Sequence, residues 1–96
     1  MNDQEQRILL DEIKAFIESR LGKQDDVCYR TGEEGQMYSQ YASTSAPWIS
    51  FEGPVNELLN YGDVDKWAFK NDFDEFLAAK DLYYEMGESW NMSIYS

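Results

Sequence analysis

Carboxylates recur every few residues along the second half of this chain: Glu57, Asp63, Asp65, Asp72, Asp74, Glu75, Asp81, Glu85 and Glu88. Acids at that density can act as a general acid and base, ligate a hard cation, or hold a basic partner. The rest of the sequence argues against the first two. There is no histidine, which removes the commonest general base and the commonest metal ligand together. Cys28 is the only cysteine and has no imidazole to activate it, so it reads as a structural thiol. Paired carboxylates can cleave a glycoside, but 19 acids create many such pairs by chance. No catalytic residue and no cofactor-binding residue is therefore assigned, and the chain reads as a non-enzyme.

Calcium is the cation that acids would suit best. Asp63-Val64-Asp65 begins like a calcium loop and Asp74 stands at its twelfth position. Trp67 at the fifth position and Ala68 at the sixth, where glycine is required, break the pattern. Zinc needs a Cys or His set that the chain lacks. No metal ligand is assigned.

Holding a basic partner is the remaining use. Nineteen Asp and Glu face eight Lys and Arg, a net charge of −11 over 96 residues. Residues 1–50 carry nine acids and five bases, and residues 51–96 carry ten acids and three bases, so the excess is concentrated after residue 50. Repulsion of this size destabilises a compact state, and solubility requires less. Disordered acidic tails are poor in aromatics, whereas this chain has 7 Tyr, 5 Phe and 3 Trp. Tyr, Trp and Met favour desolvated interface centres, while charge at the rim sets association rate and selectivity. Tyr61, Trp67 and Tyr84 lie among the acids and are assigned with them as partner-binding residues. Direct contact with nucleic acid is not expected, because the basic residues are dispersed singly among acids.

The elements that would position these groups read as a single α+β domain over 1–96 without a linker. Asn2 and Glu5 fit a capping box for a first helix, with Asp3 as the alternative cap. Leu9, Ile13, Phe16, Ile17 and Leu21 give that helix one apolar face, and Gly22 stops it. Val27–Thr31 predicts a strand, Gly32–Gly35 a turn, and Gln36–Thr44 a second strand closing a hairpin. Trp48–Glu52 predicts a further strand. A short helix is expected over 54–61, with Pro54 at its first position. Residues 64–69 fit a strand and a helical lead-in equally. A second main helix is expected over 72–86, capped by Asn71 and ended by Gly87. Trp90, Met92 and Ile94 alternate with polar residues and predict a last, half-buried strand whose apolar edge would serve a homodimer. The result is a mostly antiparallel sheet of 3–5 strands with helices on one face.

Apolar runs such as Ile8-Leu9-Leu10 are too short to enter a membrane as a span. The acidic N-terminus does not resemble a secretory signal, and a lone cysteine fits a reducing, cytoplasmic setting. Asn91-Met92-Ser93 matches a glycosylation sequon by chance in such a setting.

In size, acidity and lack of catalytic groups the chain resembles the anti-restriction and anti-CRISPR proteins of phages and mobile elements. It is similar in the same respects to bacterial immunity proteins that cap a toxin nuclease. The resemblance implies a DNA mimic whose carboxylates occupy the basic groove of a nucleic-acid-binding protein. Acids three or four apart on a helix, about 5–6 Å at Cβ, match the order of spacing between backbone phosphates. The alternative is a small acidic adaptor or structural protein of a phage or bacterium. Acids interleaved with Lys66, Lys70 and Lys80 would favour the adaptor, and acids gathered on one face would favour the mimic.

Overall fold

The computed structural model describes residues 1–60 and 64–96, with the backbone alone for residues 60 and 64–67. Helix α1 (Asp3–Leu21) begins as its sequence dictates. Asn2 Oδ1 accepts from the Glu5 amide at 2.8 Å, and Glu5 Oε1 accepts from the Asn2 amide at 3.1 Å. Gly22 ends the helix at φ 75°, a backbone region open to glycine. Leu9, Leu10, Ile13 and Ile17 are buried along one side of α1.

Four short strands form an antiparallel sheet in the order β1-β2-β4-β3. They are β1 (Val27–Arg30), β2 (Trp48–Phe51), β3 (Tyr83–Met86) and β4 (Asn91–Tyr95). The register places Tyr29 opposite Ile49, Ile49 opposite Met92, and Tyr84 opposite Ile94, so these side chains share one face. That face packs into a core with Ile13 and Ile17 of α1, Val55 of α3 (Gly53–Asn60) and Phe73 and Leu77 of α4 (Val64–Ala78). Phe16 bridges the two long helices, 4.5 Å from Phe76 and 6.0 Å from Phe73 between ring centroids. The chain is thus a small α+β fold, as its sequence predicts.

The other face of the sheet carries Cys28, Arg30, Trp48, Ser50, Asn91 and Ser93. Part of it is roofed by the segment that the sequence reads as the second strand of a hairpin. No such hairpin forms. Thr31 caps a single helical turn, α2 (Gly32–Gly35), and residues 36–46 follow as irregular chain. The two glycines are needed for close approach rather than for a turn between strands. A Cβ on Gly32 would collide with the Ser43 carbonyl oxygen, and one on Gly35 would sit 2.6 Å from Trp48 Cγ. Strand β1 instead pairs with β2 across the intervening segment.

Residues 64–69, which fit a strand and a helical lead-in equally in sequence, are helical. Further expectations are corrected: α4 starts well before Asn71, which is internal rather than its cap. The helix expected over 72–86 ends at Ala78, and Tyr83–Met86 is a strand. The stop is made by Asp81, which takes the left-handed conformation at φ 58°. Leu82 N–H donates to Leu77 O at 2.9 Å and Asp81 N–H to Ala78 O at 3.0 Å, the two bonds of a Schellman motif. Gly87, expected as the stop, lies in the turn between β3 and β4. The helix expected over 54–61 spans Gly53–Asn60, and residue 61 lies outside the described residues.

Strand β4 is central, and Asn91 to Ile94 are all buried. It offers no free edge, so pairing of two chains through Trp90, Met92 and Ile94 is not available in this fold. Its burial also places the Asn91 sequon inside the sheet. No helix among the described residues is long and apolar enough to cross a membrane.

Candidate functional site

The acids assigned from sequence fall on three elements and do not all face outward alone. Asp72, on α4, is half-buried and pairs with Arg20 of α1 at 2.6 Å. Asp74, one turn beyond Lys70, accepts from its Nζ at 3.0 Å. Glu88, after β3, accepts from Ser39 Oγ at 3.0 Å and ties the β3–β4 turn to the irregular segment. Glu57 on α3, Glu75 on α4, Asp81 at the helix stop and Glu85 on β3 are exposed. None of these four has a basic nitrogen within 4.0 Å among the described residues. Asp63 and Tyr61 lie outside the described residues, and Asp65 and Trp67 are described only as helical backbone.

Tyr84 faces the helices from β3. Its ring lies 5.5 Å from Phe73, and Lys70 Nζ stands 5.8 Å from the ring centre. Burial, and after it the Asp74 charge, raises the Tyr84 phenol above its ordinary pKa, with Lys70 opposing. The hydrogen bond to Asp74 in turn raises the Lys70 ammonium. Lys70, Asp74 and Tyr84 line a groove of about 420 Å³ between α4 and β3, with Leu77, Leu82 and Met86 as its apolar floor and rim. The structure therefore brings Asp74 and Tyr84 together and sends Asp72 and Glu88 to internal partners.

The same economy governs the basic residues. Arg7 pairs with Asp3 and Glu34, Arg20 with Asp72, Lys23 with Asp25, Lys70 with Asp74, and Lys80 with Glu12. Glu34 is held below the usual carboxylate range, first by hydrogen bonds from Thr31 and then by Arg7 and Arg30. Among the described residues five bases thus each neutralise an acid, while exposed Asp11, Asp26, Glu33 and Glu52 join the four acids of the second half that have no basic nitrogen within 4.0 Å. No group of three or more Cys, Asp or Glu side chains among the described residues is placed to hold a metal ion.

The sequence reading missed the basic side chain of β1. Arg30 lies on the partly roofed face of the sheet, between Tyr38 and Ser50, beside a second cavity. Its signal is faint in sequence, because a single arginine in a strand reads as surface. No protein-family model, no curated protein and no solved structure matches this chain.

Proposed function

We propose that this chain is a non-enzymatic inhibitor that binds a basic protein through its acidic surface. Its most concrete form is a DNA mimic that occupies the nucleic-acid groove of its target. The observation that supports this reading is the set of exposed carboxylates without internal cations, Glu57, Glu75, Asp81 and Glu85, on α3, α4 and β3. Self-repulsion makes such a set costly to fold, and a partner rich in Lys and Arg offsets that cost on binding. The field steers encounter, so association is fast at low salt and slows as screening rises.

The second reading is an acidic adaptor or structural protein, or an immunity protein against a toxin nuclease. The adaptor is favoured by one specific observation: Asp72 and Asp74, two of the assigned acids, are already neutralised by Arg20 and Lys70. Competition separates the two. Basic nucleic-acid-binding proteins captured by the chain should be released by duplex DNA and by raising salt from about 50 to 200 mM, the range over which phosphate-like contacts weaken steeply. Charge reversal at Glu75, Asp81 and Glu85 should abolish capture while the domain still melts cooperatively. Capture that is indifferent to salt, DNA and charge reversal would refute the mimic.

A further inference from the structure

We propose that the open part of the second sheet face binds a small zwitterion of amino-acid size, its carboxylate on Arg30 and its ammonium on Asp26 and Glu52. Arg7, Arg20, Lys23, Lys70 and Lys80 each have a carboxylate within 4.0 Å, whereas Arg30 and Lys14 have none among the described residues, and of these two Arg30 lies beside a cavity. Its guanidinium lies 4.4 Å from the Tyr38 ring centre and 5.9 Å from that of Trp48. Its one side-chain hydrogen bond is long, 3.3 Å from Nη1 to Ser50 Oγ. A guanidinium has five donors, so most of them are left to a ligand or to solvent.

The surroundings of Arg30 are a cavity of about 280 Å³, walled by the aromatic rings of Tyr38, Trp48 and Trp90. Trp48 is fully buried and closes the cavity from the sheet side. A guanidinium with free donors beside a cavity calls for a carboxylate. A volume at the lower end of the ligand-pocket range, about 300–1,000 Å³, calls for a small molecule.

The far end of the cavity has the opposite character. Asp26 and Glu52 are adjacent, with the Glu52 amide donating to Asp26 O at 3.2 Å, and both are exposed with no cation within 4.0 Å among the described residues. Arg30 reaches back to Ser50, the residue paired with Cys28, so its charge stands about one two-residue step, roughly 6.5 Å, from the level of Asp26 and Glu52. A molecule with anion and cation on neighbouring atoms fits that gap. The acids repel a simple anion such as phosphate, and Arg30 repels a simple polyamine. An apolar side chain on the zwitterion would lie against Trp90, which meets Trp48 edge-on at 6.0 Å.

The test is a two-dimensional amide NMR titration of the full chain with L-leucine, leucinamide and N-acetylleucine. L-leucine should shift residues 28–30, 48–52 and the Trp90 indole saturably, at about 1–10 mM as suits a small ligand held by two charge contacts. Leucinamide lacks the carboxylate and N-acetylleucine the ammonium, so each should bind at least about tenfold more weakly. Arg30→Gln should abolish the carboxylate preference and Glu52→Gln, an exposed change that leaves the fold intact, the ammonium preference. Absence of saturable shifts with L-leucine, or equal binding of either blocked analogue, overturns the proposal.

Discussion

Gln6 is a buried polar residue on the first helix, and replacing it tests how the second sheet face is held. Its Oε1 accepts from the Gly32 amide at 2.9 Å. Its Nε2 donates to the carbonyls of Met1 and Thr44, both at 2.9 Å. One side chain thus fastens α1 to both ends of the segment that roofs Trp48. Gln6→Leu conserves most of the volume and removes all three bonds. Gly32 is buried, so its amide would lose its partner out of reach of water, at a cost of about 1–3 kcal/mol. Thr44 is exposed and Met1 half-buried, so their carbonyls can turn to water and together add on the order of 1 kcal/mol. The sum, about 2–4 kcal/mol, is a large share of the roughly 5–15 kcal/mol expected for a domain. At about 4–8 °C per kcal/mol, the melting temperature should fall by roughly 8–30 °C. Thermal unfolding followed by circular dichroism measures this, and hydrogen exchange should show the Gly32 amide losing protection before the sheet does. A fall under about 4 °C with the Gly32 amide still protected would refute the reasoning.

Tyr29→Phe should stabilise the protein by about 1 kcal/mol, because the Tyr29 hydroxyl is buried with no hydrogen-bond partner among the described residues. Burial also raises the Tyr29 phenol, so its contribution is present below pH 10 and lost as pH rises through the folded pKa; the variant should resist alkaline unfolding better than the parent, and equal alkaline midpoints would contradict this. Asp81→Gly should raise the melting temperature, since a left-handed residue other than glycine costs about 1 kcal/mol, while Asp81→Val should lower it. Gly35→Ala forces a carbon to within 2.6 Å of buried Trp48 and should cost about 1–3 kcal/mol, with a shift in tryptophan emission as the ring is displaced.

These residues also show where the sequence could be read and where it could not. Helix α1 was legible because its signals are local: the Asn2–Glu5 box, the Ile13–Ile17 spacing and Gly22 all act within one element. The segment after β1 reads as a hairpin in sequence because Gly32 and Gly35 answer to residues far along the chain, a carbonyl at Ser43 and a ring at Trp48. The second main helix reads longer than it is because Tyr83 and Tyr84 continue a helical spacing from Phe76 and Lys80, and because its stop is an aspartate rather than a glycine. Polar Asn91 and Ser93 suggested a half-exposed strand, yet both are buried beneath the roof of the second face. At the candidate site, the density of acids was evident from spacing, but their pairing was not. Asp72 meets Arg20 across 52 positions, a contact that no local pattern encodes.

The pairing decides what the remaining charge does, and added salt reads it out. The molecule measures 35 × 26 × 21 Å. At 0.01 M ionic strength the Debye length, about 30 Å, spans it, so nearly every acid repels every other. At 0.15 M the length is about 8 Å and only neighbours interact. The six ion pairs among the described residues, all exposed or partly so, are also screened, but each contributes only about 0–1 kcal/mol. With a net charge of −11, repulsion outweighs them, and the melting temperature should rise as salt is added over this range. A fall would mean that local pairs dominate, that the acids are compensated where they stand, and that the adaptor is the better reading. A rise means that folded chains retain uncancelled repulsion, which a basic partner would relieve on contact.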